Sequence, residues 1–114
     1  LVEAFLMAAK YGLDMRQLLD VLMASSSGSK AMERNIGGKI LRRDFEPDFS
    51  VDLLSKDLGL AMSLARRTGV RAATGAMADM LLREAQSLGH GSRDIASVVK
   101  VLEELAGTRV ESHA

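Results

Sequence analysis

A chain of 114 residues allows one modest hydrophobic core and a single ordinary domain. Fifteen basic and fifteen acidic side chains cancel, which removes the long-range field that would draw the domain onto nucleic acid or an anionic membrane. With no cysteine, disulfides and thiolate metal sites are excluded and a cytoplasmic setting is expected; no apolar run is long enough to span a bilayer.

Apolar residues make up 47% of the chain and are mainly Leu, Ala and Met, whereas aromatics are 4% and Trp is absent. Such a mixture favours helices, and runs of Val, Ile, Thr and Tyr are missing, so the expected class is all-α. Leu1 to Lys10 reads as a helix with Gly12 as its C-cap glycine. It starts without Met, in mid-helix and without an N-cap residue, and an upstream portion is therefore expected. Asp14 with Gln17 three residues on forms a capping-box signature, opening a second helix to about Met23. Ser25 to Ser29 is a polar turn; a short third helix over Lys30 to Asn35 and a further turn near Lys39 to Arg42 follow. The segment from Arg42 to Phe49 is irregular, and Pro47 biases Glu46 away from helix.

Ser50 is the expected N-cap of the longest helix, which runs to about Thr68 with Gly69 after it. Leu54, Leu58, Ala61 and Ala65 form one apolar stripe and Leu53, Leu60 and Leu64 a neighbouring one, which implies packing on more than one side. A fifth helix is expected from a Thr74 cap to near Leu88, with Met77, Met80, Leu81 and Ala85 inward. The seven methionines are assigned to core positions, where gap-filling is their usual task. Ser92 or Asp94 opens a last helix carrying Ile95, Val98, Val99, Leu102 and Leu105, closed by Gly107. Residues 1–107 form one helical domain in this reading, and 108–114 a flexible tail.

Chemistry-bearing candidates are few. Lys56 and Asp57 stand side by side in a run that otherwise reads as buried helix, and charges there need a partner, a solvent edge or a ligand. At 100° per residue, Leu53, Lys56, Leu60 and Leu64 share a face, with Asp57 about a quarter turn away, so the two charges need not share a partner. Composition alone favours an ordinary helix-edge ion pair. Ser25 to Ser29, ahead of a helix, is an anion-binding candidate of a kind that is far more often a plain turn. His90 lies in a Gly-His-Gly loop and His113 in the tail, too far apart to form a metal site or catalytic base.

The run Lys56-Asp57-Leu58-Gly59-Leu60-Ala61 resembles the Lys-Asp-Leu-x-Leu-Ala helix of the β-hydroxyacid dehydrogenases, which include 3-hydroxyisobutyrate dehydrogenase and the tartronate semialdehyde and glyoxylate/succinic semialdehyde reductases. The resemblance extends along nearly the whole chain. It takes in Glu3-Ala4-Phe5-Leu6-Met7-Ala8 with Gly12-Leu13-Asp14, then Ser27-Gly28-Ser29, and Arg43-Asp44-Phe45 with Pro47 and Phe49. Near the end, Gly91, Asp94 and Ile95-Ala96-Ser97 match a helix start where the family usually has Asp-x-Ser-Ala.

The resemblance implies a multi-helix bundle like the C-terminal domain of 6-phosphogluconate dehydrogenase, and a substrate and dimerisation domain of an NAD(P)-dependent oxidoreductase. The parent would interconvert a small 3-hydroxy acid and its semialdehyde. It implies that Lys56 binds the cofactor and that Phe49 and Asp57 bind substrate. NAD or NADP would be held mainly by an N-terminal dinucleotide-binding domain not found in this sequence. The family's catalytic lysine lies upstream of the position of Glu3, so no catalytic residue is expected here and the fragment alone is expected to be inactive. A homo-oligomer is expected, with no nucleic-acid or membrane partner. The rival reading is a stand-alone, non-enzymatic helical interaction or dimerisation module. A 6-phosphogluconate-type enzyme ranks lower, because its helical domain is much larger.

Overall fold

The computed structural model describes residues 1–112, which form six α-helices and no strand. The all-α expectation holds. Two compact units are present: Leu1–Phe45 with the segment from Leu102 onward, and Glu46–Val101.

In the first unit, α1 (Val2–Tyr11) ends on Gly12 at φ 98°, whose N–H reaches the carbonyls of Ala8 and Ala9. Only glycine enters this left-handed conformation cheaply, so the helix stops where the sequence says it should. The Asp14 carboxylate then accepts the Gln17 N–H at 2.7 Å and opens α2 (Met15–Met23), which packs against α1. Phe5, Leu6, Met15 and Leu19 are the buried residues of this hairpin. Full burial of a side chain such as Phe5 stabilises the fold by about 1.5–3 kcal/mol.

The next stretch departs from expectation. In place of a short α-helix and a separate turn, the chain stays helical from Lys30 to Arg42 but changes pitch twice. A single α-turn (α3, Lys30–Met32, capped by the Ser29 hydroxyl) widens into a π-helix over Glu33–Lys39 and tightens into a 3₁₀ turn over Ile40–Arg42. The wide turn carries Gly37 and Gly38, and a Cβ on Gly37 would stand 3.1 Å from the Leu19 side chain. The widened backbone thus lies close on α2, burying Met32, Ile36 and Ile40.

Arg43 follows at φ 56°. Its guanidinium lies over the Phe45 ring and donates to both oxygens of the buried Glu103 carboxylate, at 2.6 and 3.0 Å. Glu103 Oε1 also accepts the Val110 N–H at 2.9 Å, while Arg43 reaches the Val110 carbonyl at 3.3 Å. Val110 is fully buried. Val110 is thus packed by its side chain and bonded through both of its backbone groups.

The second unit is built on α4 (Val51–Thr68) and α5 (Ala73–Ser87), which pack on each other. Ser50 caps α4 by accepting the Leu53 N–H at 3.2 Å, and Gly69 closes it at φ 72°. The core gathers Val51, Leu82, Ala85 and Val101, with Leu54, Leu58 and Val98 against it. Thr74 is not the cap of α5: the helix begins at Ala73 after Ala72, without a side-chain cap. Met77 and Met80 are exposed (68% and 65%), not inward. They lie on the side of α5 opposite Leu82, since five residues of helix turn Met77 about 140° away from it. Met7 is exposed as well, while Met15 and Met32 are buried, so the methionines divide between core and surface.

Asp94 caps a 3₁₀ turn (Ile95–Ser97) that runs into α6 (Val98–Ala106). The first turn of α6 belongs to the second unit and the rest to the first. Val99 and Val101 are buried, while Leu105 is exposed.

Candidate functional site

The entrance to α4 is held by backbone bonds to the segment 91–95. The Val51 N–H donates to the Arg93 carbonyl and the Asp52 N–H to the Gly91 carbonyl, both at 2.9 Å. Returning the pairing, the Ile95 N–H donates to the Phe49 carbonyl at 2.9 Å. A side chain at Gly91 would displace Asp52. A Cβ at this position would lie 2.5 Å from Asp52 Oδ1, an oxygen already taken by the Gln86 amide at 2.7 Å. Below these bonds sits Asp94, a fully buried carboxylate. Its Oδ1 accepts the N–H groups of Asp48 (3.2 Å) and Phe49 (3.3 Å), and its Oδ2 accepts that of Ala96 at 2.9 Å.

Phe49 therefore sits at the mouth of α4 with both backbone groups bonded and its side chain half-buried. Two turns into the helix, Lys56 and Asp57 project into solvent, with side chains 65% and 54% exposed. Lys56 Nζ lies 3.7 Å from Asp57 Oδ1, an ion pair beyond hydrogen-bond range. The run around them is not buried in this chain: Leu53, Leu60 and Leu64 are all exposed, and of α4 only Val51 is fully enclosed. The two charges do pair with each other, but loosely enough to leave ammonium N–H donors and a carboxylate oxygen for a ligand. An exposed pair of this kind is worth about 1 kcal/mol or less, so it adds little to the stability of the fold.

The other candidates resolve locally. Ser25 Oγ donates to the Leu22 carbonyl and accepts the Ser27 N–H, Ser29 Oγ accepts the Met32 N–H, and a Cβ on Gly28 would lie 2.5 Å from the Met23 carbonyl oxygen. The serine cluster is a turn whose hydroxyls serve its own backbone. Lys30 pairs with Glu33 on the surface. The His90 N–H closes the end of α5 on the Ala85 carbonyl, while His113 lies outside the described residues. Asp94 is the residue that sequence reasoning undervalued. It was legible as a helix start, but nothing local signals that one of its oxygens reaches back to Asp48 and Phe49.

Comparison with known proteins settles the lineage. Residues 1–102 match the family model described as NAD-binding of NADP-dependent 3-hydroxyisobutyrate dehydrogenase. The chain belongs to this 3-hydroxyisobutyrate dehydrogenase family. Among curated proteins, it is 34% identical over 110 residues to 2-(hydroxymethyl)glutarate dehydrogenase of Eubacterium barkeri, covering 96% of this chain and 36% of that protein. Among solved structures, 3-hydroxyisobutyrate dehydrogenase of Salmonella typhimurium superposes with a TM-score of 0.82 at 26% identity, over 88% of this chain and 35% of that one. The Mycobacterium tuberculosis 3-hydroxyisobutyrate dehydrogenase crystallised with L-serine gives 0.76 at 30%, over 89% and 36%. The chain thus spans about a third of the length of these relatives. NAD(P) is the cofactor of the 3-hydroxyisobutyrate dehydrogenase family. An exposed ammonium is of the donor type that phosphate oxygens accept from, while the neighbouring carboxylate can only accept from hydroxyls.

Proposed function

We propose that this chain is the helical C-terminal domain of an NAD(P)-dependent 3-hydroxy-acid dehydrogenase that interconverts a small 3-hydroxy acid and its semialdehyde. The observation that carries the reading is the Lys56–Asp57 pair, exposed on α4 two turns beyond a Phe49 whose backbone is bonded at both ends. Family membership supplies the chemistry: NAD(P), when bound, accepts or returns the hydride. The chain's own residues bind and orient. Lys56 places a positive charge against phosphate or ribose oxygens of the cofactor. Phe49 walls the substrate and excludes water from one side. Asp57 cannot attract a hydroxy acid through its carboxylate, because like charges repel; it accepts a hydrogen bond from the substrate hydroxyl instead, with the Lys56 ammonium offsetting the charge.

Transfer of hydride needs a dinucleotide-binding domain and a proton-transferring lysine, neither of which is among these residues, so the fragment alone is assigned no activity. The exposed Leu53, Leu60 and Leu64 stripe suits self-association of the parent, and a cytoplasmic setting agrees with the lack of cysteine.

One observation favours a second reading. Lys56 and Asp57 are each other's nearest charge at the surface, as in an ordinary helix-edge pair of a non-enzymatic interaction module. The deciding experiment is Lys56→Met in the full-length protein, assayed with NAD and NADP against a panel of 3-hydroxy acids that includes 3-hydroxyisobutyrate and L-serine. The expected result is a loss of cofactor affinity of about tenfold, matching one charge-assisted contact. Unchanged affinity together with unchanged turnover refutes the assignment of Lys56, and a panel without any turnover in the wild type refutes the enzyme.

A further inference from the structure

We propose that Asp94 is a positioning residue of the substrate pocket: by receiving the N–H groups of Asp48 and Phe49 on one oxygen, its buried carboxylate sets where the Phe49 side chain stands. The inference rests on the reading of Phe49 as a substrate wall.

A helix cap alone does not account for Asp94. Capping the turn at Ile95 needs a single acceptor, which Oδ2 supplies to the Ala96 N–H at 2.9 Å. A serine hydroxyl does that work equally well and without burying a charge. The carboxylate's other oxygen goes elsewhere, across 46 and 45 residues of sequence, to two successive backbone N–H groups. Two neighbouring amides converging on one oxygen make a small anion-binding concavity in the loop, and Asp94 is its anion. A fully enclosed carboxylate is tolerated only where such donors satisfy it.

The geometry acts on Phe49 from both sides. Asp94 takes its N–H, and the Ile95 N–H at 2.9 Å takes its carbonyl, so two consecutive residues of the 94–95 segment hold the peptide groups flanking one Cα. Pro47, with its φ restricted by the ring, limits the approach from upstream. Because the Phe49 side chain is only half-buried, packing alone does not fix it. The direction of its Cα–Cβ bond is left to these backbone bonds. Loosening the loop would let the ring swing without removing any atom of the site, and the consequence falls on substrate binding, not on the cofactor held at Lys56.

The test uses Asp94→Ser in the full-length protein. Serine keeps the cap on Ala96 but is too short to reach Asp48 and Phe49. With the 3-hydroxy acid that the panel above ranks first, KM is expected to rise about five- to tenfold, as part of what the two lost loop bonds supply reaches the substrate. The dissociation constant for NAD(P) should stay within about twofold of wild type. In a Phe49→Ala background the same substitution should add nothing to KM, since there is no ring left to place. A KM effect of equal size in both backgrounds overturns the inference, and so does a lowered melting temperature with KM unmoved. If Phe49→Ala alone leaves KM unchanged, it is the substrate-wall reading that fails, and that result is visible without Asp94. Should Asp94→Ser not fold, Asp94→Asn keeps the side-chain size and one acceptor oxygen; there a KM rise of about threefold, absent in Phe49→Ala, supports the inference, and an unchanged KM overturns it.

Discussion

Replacing Glu103 with glutamine isolates the charge in the most buried ion pair of the first unit. The carboxylate receives three hydrogen bonds: Arg43 Nη1 at 2.6 Å and the Val110 N–H at 2.9 Å on Oε1, and Arg43 Nη2 at 3.0 Å on Oε2. An amide can turn its oxygen to the first two donors. Its NH₂ then faces Nη2, donor against donor: that bond is lost outright, the Val110 bond is weakened from charge-assisted to ordinary, and the Nη1 bond keeps only the guanidinium charge. At about 1.5–3 kcal/mol for a bond to a charged group and about 1 for a neutral one, the raw loss is about 2–5 kcal/mol. Arg43 keeps 26% of its side chain exposed, so water recovers part of that, and about 2–3 kcal/mol is expected. Urea unfolding of the full-length protein followed by a probe in this domain should show the midpoint falling by about 1 M or more with the slope preserved. Lys30→Ala, which breaks a pair exposed at 96% and 58%, is the control and should stay within about 0.5 kcal/mol. A Glu103→Gln effect as small as that control would show that the pair is solvated and that the burial of Val110 does not depend on it.

Gly91→Ala should destabilise the second unit by about 1–3 kcal/mol, because the new Cβ meets Asp52 Oδ1 at 2.5 Å; an unchanged melting temperature would mean that Asp52 swings away freely despite its bond to Gln86. Leu64→Lys should leave the unfolding free energy within about 0.5 kcal/mol, since Leu64 is exposed, while lowering any self-association measured by sedimentation; a large loss of stability would show that the stripe packs within the chain.

What was legible in the sequence is what is decided locally. Asp14, Ser50, Gly12 and Gly69 act within about five residues of themselves, so these caps and stops were legible from local chemistry, whereas the Thr74 cap expected for α5 was not found. Periodicity located the apolar faces but not their partners. Met77, Met80 and Leu105 lie on apolar faces and yet are exposed, because periodicity marks an apolar face without saying what packs on it. The π-turn depends on the approach of Gly37 to Leu19, and the Arg43–Glu103 bridge on two residues 60 positions apart. Of the candidate site, Phe49, Lys56 and Asp57 were visible through family resemblance, whereas the clamp at Asp94 spans 45 residues and leaves no local pattern.

The anchoring of Val110 bears on how this domain can be cut. A boundary drawn at Gly107, where the last helix ends, looks harmless on secondary structure. It would nonetheless remove a buried apolar plug, leave Glu103 one donor short and leave Arg43 without a carbonyl to share. A truncation series should therefore show a step between residues 110 and 109 in place of a gradual decline. An expression boundary or fusion junction for this domain belongs beyond Val110.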